Sequence, residues 1–141
     1  MIAAVVAAIS LQTPPKISTP APGSKLRVEL MNTLRKPVES QLGVKVKFKV
    51  DRLRVSEPWA FLAGDCQDSK GRPIDLRKTR LKAEAEWMDG PSVYALFWKD
   101  SKKKWTVKTF VLGPTDVAWS DWPERFGCPR ELLGLPRPSA P

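Results

Sequence analysis

The sequence predicts a single α+β domain, and three observations carry the prediction. Leu26, Leu30, Leu34, Val38 and Leu42 recur every four residues, the spacing that lines one face of a helix, with Met31 widening the stripe. From Val44 the period drops to two, as Val44, Val46, Phe48 and Val50 alternate with Lys45, Lys47 and Lys49. That alternation is the mark of a strand with one buried and one wet face. Further short apolar runs follow without long helical crossovers, which calls for an antiparallel meander. With 141 residues, 42% hydrophobic and 28% charged, the chain suffices for one ordinary core.

Taken in order, the chain opens on "MIAAVVAAISL", too short to span a bilayer as a helix but as long as the apolar centre of a secretory signal. Small residues in "AAISLQT" offer a cleavage site, although the positively charged start is missing; a buried N-terminal helix is the alternative. We read the segment as an export signal, which places the protein in a secreted or periplasmic location. Residues 12–24, "QTPPKISTPAPGS", have the composition of an extended, solvated tether, and "GLPRPSAP" is a similar tail. The expected organisation is a signal-like segment and tether over 1–23, one domain over 24–134, and a tail over 135–141.

Ser24 is a good N-cap for the leucine-striped helix and Gly43 its left-handed stop, while Pro37 predicts a kink. The phase slip between Val50 and Leu53 predicts a bulge in the first strand. "PWAFLAGD" reads as the second strand. "TRLKAEAEWMDG" fits a short helix or a strand equally well, whereas "SVYALFWKD" and "KWTVKTFVLG" flank "SKKK" as a hairpin. Gly113 and Pro114 break its second strand, Asp116 can accept bonds in the turn that follows, and Pro129 and Gly134 bracket a short C-terminal helix. Trp119 and Trp122 are expected to lie over the open end of the sheet.

One apolar helix stripe and one apolar sheet face must bury each other, so this element order resembles the cystatin-like or NTF2-like architecture, a curved antiparallel sheet around a helix. The stretches "LRKPVESQLG", "WAFLAGD", "GRPIDLRKTR" and "YALFWKDSKKKWTVKTFVLGPTDVAWSDWPERFGCPRELL" also resemble a group of small exported bacterial proteins of uncharacterised function, over residues 25 to 133. In that group the chain ends in a Gly-x-Thr-Asp-Val turn, spaced tryptophans and a proline-started helix. The resemblance implies export and a single domain, and it brings no catalytic residues. Cys66 and Cys128 are not part of its pattern.

Histidine is absent, which removes the commonest general base, the commonest zinc ligand and every imidazole triad. Cys66 and Cys128 form no CxxC pair, so neither a metal site nor a cofactor is expected. In an oxidising compartment the two could bond, closing a loop of about 63 residues worth ~3 to 4 kcal/mol; two independent buried thiols are the alternative. Acid–base chemistry without histidine would have to use Tyr94 with Asp65, Asp75 or Asp116, an NTF2-like small-ligand enzyme. Each of those residues also has a plain structural role, so no catalytic residue is assigned.

Lys+Arg outnumber Asp+Glu by 24 to 15, a net charge of +9, which attracts polyanions without selecting among them. A shared lysine face of Lys45, Lys47 and Lys49, extended by Lys104 and Lys108 if the hairpin lies nearby, is one candidate surface; a solvated face that protects the strand is the plainer reading. Trp119, Trp122, Arg125 and Phe126 are the candidate aromatic anchor, with core closure the competing role. Nucleic-acid binding would want rings interleaved with the lysines, and Val46 and Phe48 alternate away from them. The function expected from sequence is therefore a non-enzymatic exported domain that binds an anionic envelope polymer or another protein, with no transmembrane span.

Overall fold

The computed structural model describes residues 16–136, so the apolar run at residues 1–11 and its reading as a signal lie outside the described residues. The leucine stripe forms α1, Lys25–Leu42. Ser24 caps it through a hydrogen bond from the Arg27 N–H, and Gly43 closes it at φ 75°, where a Cβ would run into the Arg80 side chain. Pro37 lies within this helix. Leu30, Leu34, Val38 and Leu42 are buried, so the four-residue period is the face that meets the sheet. Two further contacts fix the C-terminal end of α1. The Arg80 N–H donates to the Leu42 carbonyl, and its guanidinium to the Ser40 carbonyl. Those carbonyls are among the four that a helix end leaves unsatisfied.

Four strands follow, β1 (Lys47–Ser56), β2 (Trp59–Gln67), β3 (Ser92–Lys99) and β4 (Trp105–Leu112), paired antiparallel in sequence order. The meander is thus the observed topology, and β1 and β4 are its edges. The expected slip in β1 is present as a register shift between Val50 and Arg52; a second one lies in β3–β4 at Leu96/Phe97. The β3–β4 turn manages without glycine because the Asp100 carboxylate accepts from the N–H groups of both Lys102 and Lys104, with Lys103 at φ 62°. Residues 79–90 are neither of the expected forms. They make turns and one short 3-10 segment, Ala85–Trp87, in which Trp87 is 73% exposed.

Both faces of the sheet are covered, which the alternating pattern of β1 did not lead us to expect. On one face α1 packs over Leu53, Val55, Ala60, Leu62, Cys66, Val93, Ala95, Phe97, Trp105 and Leu112. On the other, the closing segment lays α2 (Trp122–Phe126) and the 3-10 turn Arg130–Leu133 over Phe61, Ala63 and Leu96. Trp119 and Trp122 therefore do not sit over an open end of the sheet shared with α1. They belong to a second core behind it. Trp122, 3% exposed, meets the Phe61 ring edge-on at 6.2 Å, and Trp119 stacks on Tyr94 at 3.9 Å. The reason is legible afterwards in "WAFLAG" and "YALFW", whose unbroken apolar runs belong to strands buried on both sides.

The ends of the described chain also touch the sheet. Ser18 exchanges two backbone hydrogen bonds with Val55 of β1, at 2.9 and 2.7 Å, so part of the expected free tether is held against the β1 edge. At the other end, Gly134 lies beside the Arg52 and Arg54 guanidinium groups, and Arg54 donates to the Glu131 carbonyl.

Candidate functional site

The structure separates the residues that the sequence suggested as one surface. Lys45, Lys47 and Lys49 are exposed on and before β1, one edge of the sheet, whereas Lys104 and Lys108 belong to the turn before β4 and to β4, the opposite edge. The hairpin does not extend the β1 lysines into one patch. Lys47 and Lys49 face Gln67 and Asp65 across the strand pair, with Ser92 next in the row. No ring stands among these partners, so the surface lacks the stacking platform that single-stranded nucleic acid needs.

The aromatic anchor is internal as well. Trp122 and Trp119 are spent on the second core, and Phe126 packs against it, half-buried. Arg125 lies over the Phe126 ring at 5.0 Å and reaches Asp121 at 3.9 Å. Lys108 sits 5.4 Å from the Trp98 ring and 6.0 Å from Phe126. Of these contacts, Lys108 to Phe126 is the one that links the closing segment to β4.

Tyr94 stacks on Trp119; of the acids named with it, Asp65 lies on the same sheet face two positions along the β2–β3 ladder, while Asp75 and Asp116 lie in loops. Asp65 pairs across from Lys49 on β1. Asp75 binds the Arg77 side chain and N–H, which hold its carboxyl below the usual range. Asp116 is exposed in the turn, where its own carbonyl accepts from the Ala118 N–H. Among the described residues no group of three or more Cys, Asp or Glu is placed to hold a metal ion.

Cys66 and Cys128 are free and buried, Cys66 in the α1 core and Cys128 in the core behind the sheet. The sheet stands between them, so the bridge weighed from sequence has no geometry here. Burial pushes the Cys66 thiol up to about 12, with nearby Asp65 adding to it. Burial also raises Cys128 to about 11, partly offset by a backbone hydrogen bond and reinforced by Glu124. Because folding holds both protons more tightly than the unfolded chain does, this contribution is whole below about pH 9 and is lost as pH rises towards the folded values. The intact mass without reductant is therefore expected to retain both thiol hydrogens, and iodoacetamide at pH 8 to label neither thiol until urea unfolds the chain. Between pH 9 and 11 the urea midpoint should fall more steeply for the native protein than for a Cys66→Ala, Cys128→Ala variant; parallel curves would refute the assignment.

What sequence reasoning missed is a groove of about 850 Å³ between the outer side of α1 and β4. One wall is Lys25, Val28, Asn32, Thr33 and Lys36 of the helix; the other is Lys104, Trp105, Thr106 and Val107. Val28 is apolar but off the leucine stripe, and it is 47% exposed. That off-stripe valine, beside the last strand of a meander, was the available signal. Three exposed lysines line the groove against one carboxylate, Glu29.

Compared with known protein families, curated proteins and solved structures, the chain matches none. No helix among the described residues is long and apolar enough to cross a membrane.

Proposed function

We propose that the protein is an exported, non-catalytic binding module that captures an acidic macromolecule in the groove between α1 and β4. The observation that carries this reading is the groove's lining: exposed Val28 and half-buried Val107 on facing walls, with exposed Lys25, Lys36 and Lys104 beside them. Apolar side chains beside several like charges suit a partner that brings both apolar contact and the opposite charge. The overall charge of +9 adds long-range attraction for the same partner. Export rests on the apolar run at residues 1–11 and on the resemblance to small exported proteins.

The test compares two triple variants of equal net charge, Lys25→Glu/Lys36→Glu/Lys104→Glu and Lys45→Glu/Lys47→Glu/Lys49→Glu. Poly-L-glutamate is the probe, and binding to the native protein should weaken as salt rises. The groove variant is expected to lose at least about tenfold in affinity, roughly 1.4 kcal/mol, while the β1 variant loses clearly less. Since both carry the same overall charge, the difference reports location alone. Equal losses would remove the groove from the account, and no binding of the native protein at low salt would remove the function.

A further inference from the structure

Resting on that reading, we infer that the acidic partner enters the groove as an extended polypeptide and joins the outer edge of β4 as a fifth strand. The groove is walled on one side by that edge. β4 ends the strand order and pairs with β3 alone, so among the described residues no strand covers its outer backbone groups. Unpaired strand edges are templates for added chains, and many recognition domains use them in this way.

At the opposite edge the chain itself makes a one-pair bridge of this kind. There Ser18 pairs with Val55 through both backbone hydrogen bonds, and the chain's own extended segment occupies the position. At β4 the same backbone chemistry stands beside a ready-made side-chain pocket. A strand added there has residues alternating between the two sheet faces. Those on the helix side meet Val28, Lys25 and Lys36; those on the other side pass Lys108, which is exposed on β4.

Charge selects the occupant. Lys25, Lys36 and Lys104 line the groove, against Glu29 as its one acid, so an acidic segment gains an ion partner at several positions. A second copy of this chain is disfavoured, because pairing two β4 edges would set these lysines against their counterparts in a molecule of charge +9. The partner is therefore a different protein that presents a stretch rich in Asp or Glu without a fixed fold of its own.

Poly-L-glutamate and polyacrylate of matched charge number distinguish this mode from plain charge attraction, since the second has no backbone amides. The polypeptide is expected to bind the native protein at least tenfold more tightly at the same salt. Hydrogen exchange read by mass spectrometry should slow in Trp105–Leu112 when it binds, with Lys47–Ser56 unchanged. Equal affinity for the two polymers, or binding without protection in β4, overturns strand addition and leaves the acidic-partner reading standing. Failure of both polymers to bind at low salt overturns both. A dimer of the protein alone with β4 already protected assigns the edge to a second copy and overturns the proposal.

Discussion

Gly64→Ala is expected to destabilise the protein by about 3 kcal/mol and to lower the melting temperature by about 10 °C. Gly64 pairs with Val50 of β1, next to the register shift, and with Val93 of β3. A Cβ built there falls on the carbonyl oxygen of Lys49 and crowds the Lys49 and Val50 backbone. Backbone cannot swing aside as a lysine tip can, so β1 must move away from β2 or the bulge must be lost. The control is Gly71→Ala. At that position φ is 78° and no atom lies within 4 Å of the added carbon, so only the left-handed strain of about 1 kcal/mol applies. Thermal melts of the two variants check the argument, and equal losses would show that the close approach at Gly64 relaxes freely.

A second large effect is expected from Trp122→Ala. The indole is almost wholly buried against Phe61, and removing so large a buried ring costs about 3 to 5 kcal/mol. Where the loss falls matters as much as its size. The α1 core lies on the other face of the sheet and shares none of these contacts, so it should persist while the closing segment opens. Amide exchange is expected to accelerate over residues 113–135 far more than over Lys25–Leu42. Uniform acceleration would mean that the two cores fold as one cooperative unit.

The first core was legible because its signals are periodic and local. A stripe every fourth residue, an alternation every second, Ser24, Gly43 and the slip before Leu53 each act within a few residues, and each appears in the fold. Residues 79–90 were ambiguous for the opposite reason. Their conformation follows long-range contacts, such as Arg80 on the end of α1 and the Asp89 N–H on the Gly113 carbonyl, which no local pattern encodes. The second core was not expected, because the alternation that signals a wet outer face holds for β1 and not for the central strands. β1 is an edge strand and keeps lysines there, whereas Phe61 and Leu96 on the central strands are buried on that same side. The lysines were identified as exposed, but strand order decides which exposed residues are neighbours. The groove escaped notice because it is made by α1 and a strand some 80 positions later in the chain.

Ser18 pairs with Val55 on β1, and Gly134 returns to Arg54 one residue away on the same strand. The described chain thus enters and leaves the fold along one flank of the sheet, at Ser18 and Gly134. The lysine-lined cleft lies at the opposite edge of the four-stranded sheet, so a label fixed at Ser18 or Gly134 sits across the sheet from it.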